Sequence, residues 1–356
     1  MIGYLAAFFV SVSIAAGSLV FLMVSYLGRA TWFLPIRRVV EAAVVVLPIF
    51  LLLFLPIALR LSSIYPWAQS TSDLNPQQAA SLGHARVWFE PSFFIARSYV
   101  YLLTWCVLAF LLRRASLMQD PSPPDRSRIV PRTVSAVGLP LTLVTISFAG
   151  FDWLMSLQPG WTSDAFGLYV AAGSFAGSVG AIAVFVYFAD RAGFFERSAI
   201  AKLTDAHVHA LGRIMLVSVL FWAYIGFCQF LLIWIGDLPS EIPFYDERRE
   251  GFWGWASALL VLTHFVVPFL LLLSRPLKRR IASLACVGAL LLVAHALDVL
   301  WIVIPSAHRN LSVLDVASTA GILLIFVGAT VSRYRAVPPA PLHDPDLARA
   351  IRYESP

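Results

Sequence analysis

No Cys-x-x-Cys pair occurs anywhere in the chain, and no Cys-x-x-Cys-His. The three cysteines, Cys106, Cys228 and Cys286, each stand alone inside an apolar run. This removes c-type haem attachment by the usual motif, iron–sulfur ligation, a zinc ribbon and a disulfide framework. Charge is scarce as well. Charged residues make up 13% of the chain, against about 25% in a soluble globular protein. No stretch is long and polar enough for a sizeable soluble domain. What fills the chain is apolar: 59% hydrophobic residues and a mean hydropathy of +0.79. Such a chain needs lipid as its solvent. The net charge of +6 does not signal nucleic acid, because the basic residues sit in short connections between apolar runs, where they act as topology signals.

A bilayer core needs about 20 apolar residues in a helix. Every backbone polar group must be paired inside the segment, so long apolar runs become helices. Nine runs qualify: 2–27, 39–59, 92–112, 130–151, 165–188, 211–235, 252–274, 281–304 and 311–331. The expected fold is all-α, a polytopic transmembrane bundle of about nine spans. The first run has no basic leader and is too long for the apolar core of a signal peptide, so it reads as a span.

Every second connection is basic. Arg29, Arg37 and Arg38 precede the second span, and Arg113, Arg114, Arg126, Arg128 and Arg132 lie between the third and fourth. Arg191, Arg197, Lys202 and Arg213 lie around the fifth connection. Arg275, Lys278, Arg279 and Arg280 precede the eighth span, and Arg333 and Arg335 close the ninth. The intervening connections carry Asp73 and Glu90, then Asp152 and Asp164, then Asp237, Glu241, Asp246, Glu247 and Glu250. By the positive-inside rule the basic side faces the cytoplasm of a bacterial inner membrane and the N-terminus faces the periplasm. A transmembrane domain of residues 1–335 is then followed by a cytoplasmic tail, 336–356. Tyr65, Trp67, Trp153, Trp161, Tyr245, Trp253 and Trp255 cluster toward the acidic side and read as an interfacial aromatic belt. Residues 62–91 and 237–251 are the expected docking surfaces on that side.

Polar groups at membrane depth are costly and usually serve a site or an interior contact. Asp152 ends the fourth span, where it could pass a proton or simply cap a helix end. His295 and Asp298 share one face of the eighth span at i, i+3. A carboxylate beside an imidazole suits proton transfer or a hydrogen bond to a quinone carbonyl; the competing reading is a structural bond between helices. His264 lies near the middle of the seventh span, where a packed core histidine is the plainer reading. His264 and His295 are the only histidines at membrane depth and lack the paired spacing of haem-binding bundles. Tyr224 and Gln229 are hydrogen-bonding groups in an otherwise apolar sixth span. Gln229 needs a partner in lipid. Gly173, Gly177 and Ala181 have small-xxx-small spacing for close helix approach. Pro48, Pro56, Pro140 and Pro268 are positions for kinks. No metal site is expected.

The stretches FDWLMSL (151–157), WAYIGFCQFLLIW (222–234), HFVVPF (264–269), SRPLKRR (274–280) and HALD (295–298), with residues 161–178 and 212–237, carry a resemblance. Over most of residues 1–304 the chain resembles the second quinone-binding membrane subunits (ActF type) of alternative complex III, within the polysulfide-reductase-like, NrfD-like membrane proteins. The resemblance implies two four-helix bundles with extra helices, one span more than the nine counted. It implies a subunit of a quinol:electron-acceptor oxidoreductase in a respiratory or photosynthetic chain. The chain would contribute quinol or quinone binding, a proton-conducting path, or both. Partner subunits, namely an iron–sulfur protein, c-type cytochromes and a paralogous membrane subunit, would carry the haem and iron–sulfur centres, and this chain none. Residues placed as quinone or proton-path candidates are Asp152, Tyr169, Tyr224, Gln229, His264, His295 and Asp298. Whether the chain takes part in the enzyme's chemistry or only scaffolds it stays open at this point. The rival from another class is a stand-alone secondary transporter. That reading lacks the inverted repeat and the matched broken helices that transporters show.

Overall fold

A computed structural model describes residues 1–69, 87–118, 129–195, 203–336, 344 and 346–355. Asp73, Arg126, Arg128, Arg197 and Lys202 lie outside the described residues, as do parts of the expected 62–91 surface and of the 336–356 tail. Among the described residues all regular structure is helical. Nine segments are long and apolar enough to cross a membrane: Ile2–Leu27, Thr31–Ala58, Pro91–Met118, Val130–Leu157, Phe166–Arg191, Asp205–Gly236, Gly251–Leu273, Ile281–Ala307 and Val313–Arg335. They are the first to ninth spans below.

The first four spans form one bundle and the fifth to eighth a second. The ninth span packs on the first and second. The bundles meet where the first span crosses the fifth and eighth. Small residues set that crossing. At Gly17 a Cβ would come within 2.1 Å of the Ser174 carbonyl oxygen, so only glycine lets the two backbones approach this closely. Burial follows: the first span is nearly enclosed, while the sixth, seventh and ninth keep broad apolar faces outward, including Phe221, Trp234, Trp255 and Leu324. An apolar face of this kind is what lipid covers.

The second span begins earlier than its apolar run. A 3-10 turn, Thr31–Ile36, leads into the helix Arg37–Val44, which gives way to turns at 45–48 before Ile49–Leu53 resumes after Pro48. Arg37 and Arg38 are therefore not in a solvated connection, as their sequence position suggested, but buried in the bundle. Glu41, one turn on, explains why. It pairs with Arg37 at 3.5 Å, with Arg38 at 3.0 Å and with Arg113 of the third span. An unpaired buried charge costs several kcal/mol, about 3–5 when one partner is removed.

The expected aromatic belt is mostly interior. Tyr65, Trp67, Trp153, Trp161 and Trp253 are buried and Tyr245 is partly buried, while Trp255 faces outward. Trp153 packs edge-on against Phe8 at 5.5 Å. These rings fill the acidic-side ends of the bundles rather than marking the lipid interface.

Helix ends use local chemistry. Thr204 and Ser312 start the sixth and ninth spans with reciprocal side-chain caps, to His207 and Asp315 respectively. Asp237 ends the sixth span with φ 47°. An acidic residue tolerates this left-handed backbone better than a bulky one. The chain then folds back over the second bundle.

Candidate functional site

Two buried carboxylates occupy the same end of the two bundles, and their surroundings differ in kind. Asp152 belongs to the first bundle. Arg97 of the third span donates to it from Nε at 3.1 Å and from Nη2 at 3.0 Å. The Tyr101 hydroxyl and Trp88 Nε1 donate at 2.9 Å each. The Arg97 guanidinium also lies over the Trp88 ring at 4.0 Å and the Phe93 ring at 4.4 Å. This is a two-pronged ion pair with its remaining lone pairs filled, the arrangement in which a buried charge is tolerated.

Asp298 belongs to the second bundle. Its Oδ1 accepts from the Tyr169 hydroxyl of the fifth span, and its Oδ2 accepts from Trp222 Nε1 of the sixth at 3.0 Å. Both donors are neutral. Among the described residues no cation pairs with it. The carboxyl lies five residues before Val303, the end of its helix, so about 7–8 Å of helix separates it from the acidic side.

His295, one turn earlier, places Nε2 2.8 Å from Ser13 Oγ of the first span. The fifth span makes room for it. A Cβ on Gly177 would fall 2.7 Å from His295 Cδ2, and one on Gly173 would lie 3.4 Å from Asp298 Oδ2. The Gly173, Gly177 pattern thus serves the site as well as the helix crossing. His264 arrives from the seventh span through a five-residue π turn, Leu262–Val266, followed by Pro268. The wide turn rotates its ring onto Trp222, with centroids 3.9 Å apart and planes 24° apart. Turns of this kind recur at functional sites.

Several buried polar atoms around this carboxyl have no hydrogen-bond partner among the described residues: both His264 nitrogens, His295 Nδ1 and Gln229 Oε1. Buried polar groups are nearly always paired. The unpaired imidazole nitrogens beside Asp298 are groups that could meet water or a polar ligand. A quinone carbonyl fits this donor set in kind, since an imidazole N–H can donate to its oxygen.

On the acidic side the site is roofed by Gln229, Tyr245 and Arg248. Gln229, two turns beyond Trp222, donates to the Tyr245 hydroxyl at 3.4 Å. Tyr245 sits in the short helix Pro243–Asp246, whose Phe244 stacks on Trp161 with centroids 4.0 Å apart. Arg248 locks this segment down. Its Nε donates to the Trp301 carbonyl at 2.9 Å, Nη1 to Phe244 at 2.6 Å and Nη2 to Ile302 at 2.8 Å. Burial pushes the guanidinium down to about 9, and it remains charged at neutral pH. Burial pushes the Tyr245 hydroxyl up to about 12, so it stays a donor and acceptor. The expected docking surface at 237–251 is in this part a roof over the bundle.

Of the seven candidates, Tyr169, His264, His295 and Asp298 meet directly or through Trp222, and Gln229 joins them at the roof. Asp152 lies in the other bundle and shares no partner with them. Tyr224 points outward from the sixth span and is 64% exposed. Trp222, Ser13, Tyr245 and Arg248 were missed. Trp222 stands among sixth-span aromatics that packing explains, Tyr245 reads as part of the interfacial belt, and Ser13 is one of several hydroxyls in the first span. Arg97 was missed as well, although a charge inside the third apolar run is a signal that could have found it. No group of three or more His, Cys, Asp or Glu able to hold a metal occurs among the described residues. A scan against known protein families found no matching model, and a search of curated proteins found no match.

Proposed function

We propose that this chain is a membrane subunit of a quinol:electron-acceptor oxidoreductase of the alternative complex III type, in which Asp298 exchanges a proton. The observation that carries the reading is a buried carboxyl held by two neutral donors, Tyr169 and Trp222, beside two histidines with unpaired nitrogens. A carboxyl with neutral partners gains and loses a proton without breaking an ion pair, whereas Asp152 does not. The resemblance of the 151–157, 222–234, 264–269 and 295–298 stretches to NrfD-like subunits supports the same reading.

In this mechanism quinol would approach the Trp222–His264 pair and give up two electrons to the partner subunits, its two hydroxyl protons passing one to an imidazole nitrogen and one to Asp298. Electrons leave through iron–sulfur and c-haem partner subunits. The protons leave toward the acidic side past Gln229 and Tyr245. That side is the periplasm of a bacterial inner membrane under the positive-inside rule, with the C-terminus cytoplasmic. The alternation of basic and acidic ends supports this orientation.

The test is purification of the tagged chain in mild detergent, with subunit mass spectrometry and a reduced-minus-oxidised spectrum. Haem-c bands and iron–sulfur partners in the eluate are expected. A colourless single chain would overturn the reading in favour of a stand-alone transporter.

A further inference from the structure

At the basic ends of the first, second and fourth spans the C-terminal segment folds back and closes a pocket of about 250 Å³. Four guanidiniums line it, those of Arg29, Arg37, Arg132 and Arg349, against the carboxylates of Asp344 and Asp346. Four of the six charges are tied in pairs, the first being Arg37 to Asp344 at 2.7 Å. Arg349 reaches Asp346 at 3.6 Å. Beneath Arg37, Glu41 is already shared with Arg38 and Arg113. Among the described residues the region sets six guanidiniums, those of Arg29, Arg37, Arg38, Arg113, Arg132 and Arg349, against three carboxylates. Much of it is buried, Arg37 at 2% and Arg38 at 0% exposure. Arg29 and Arg132, by contrast, are exposed at the rim of the pocket, and the positive excess they carry attracts an anion. The Tyr26 hydroxyl, which also lines the pocket, is buried without a hydrogen-bond partner among the described residues.

We infer that this pocket binds the phosphodiester headgroup of an anionic phospholipid. The charge selects an anion, and guanidinium matches phosphate oxygens in forked geometry. The position selects lipid over a free ion. The pocket opens at the basic ends of the spans, where a headgroup layer would lie, and the buried Phe33, Leu34 and Pro131 form its apolar floor. Basic pockets between spans on the cytoplasmic side hold such headgroups in general. Because Asp344 and Arg349 come from the tail, a bound headgroup would also fasten the tail to the membrane domain.

Native mass spectrometry of the full chain, stripped of lipid and then offered vesicles of phosphatidylglycerol or phosphatidylcholine, tests this. The wild type is expected to take up phosphatidylglycerol in preference. Replacing the exposed pair in R29Q/R132Q should weaken uptake about tenfold or more. R249Q, at the opposite end and exposed, should leave it unchanged. Equal uptake of the two lipids, or wild-type uptake by R29Q/R132Q, overturns the inference. Millimolar inorganic phosphate is the third arm. If it stabilises the protein against heat as well as phosphatidylglycerol does and blocks lipid uptake, the site takes a free anion and the lipid assignment falls. Failure of phosphate to compete supports it.

Discussion

Replacing Asp298 with asparagine keeps the shape of the site and removes its proton. In the structure the two carboxylate oxygens accept from Tyr169 and Trp222. An asparagine oxygen can serve one of these donors, but its NH2 group then faces the other. One buried donor is left unpaired, at a cost of about 1–3 kcal/mol. Against a typical stability of about 5–15 kcal/mol, the subunit should still fold and assemble. Activity should suffer far more than stability, because a positioned acid–base group contributes about 10²–10⁴ in rate. The assay is quinol oxidation by the purified complex, with subunit content checked by mass spectrometry and proton release followed with a pH dye in vesicles. Loss of about 100-fold or more, with partial rescue by D298E, is expected. A fully assembled D298N complex that oxidises quinol and releases protons within about twofold of wild type would refute the assignment of Asp298.

The other carboxylate should behave in the opposite way. R97Q or D152N leaves a buried charge or its donors without a partner and should destabilise by about 3–5 kcal/mol, read as lost expression or a lowered melting temperature, with the double variant less damaged than R97Q alone. In the fifth span, G177A drives a methyl into the His295 ring and should cost about 1–3 kcal/mol, whereas G173A meets only ordinary contacts; thermal melts of the two variants give the comparison. Y224F, on the outward face, should leave melting and turnover unchanged, while Y245F should slow proton release and spare quinone binding. Glu90 gives a pH signature. The Ser92 hydroxyl and Phe93 N–H hold its folded value below the ordinary one. It therefore stabilises at neutral pH and loses that effect as pH falls through the depressed folded value, so E90Q should flatten the acid limb of the melting curve.

The sequence alone determined the fold class and the number of spans. Apolar runs of span length must be helices in lipid, and they alternate with basic and acidic connections along the chain. It also picked out polar residues whose presence in such runs requires a reason. His264, Gln229, His295 and Asp298 could be named from one helix at a time, and the i, i+3 pairing of His295 with Asp298 followed from helix geometry. The tertiary structure decided what each of them faces. Asp152 and Asp298 look alike in sequence, yet one meets Arg97, 55 residues away, and the other meets Tyr169, 129 residues away. Ser13 reaches His295 across 282 positions. Tyr169 and Tyr224 are both tyrosines in apolar helices, and only the packing of the fifth and sixth spans turns one inward and the other out. Arg37 and Arg38 read as topology signals until Glu41, Arg113 and the folded-back Asp344 are brought beside them. Local pattern fixes the helix because its hydrogen bonds are local. Partners of a buried charge come from other helices, and only their packing supplies them.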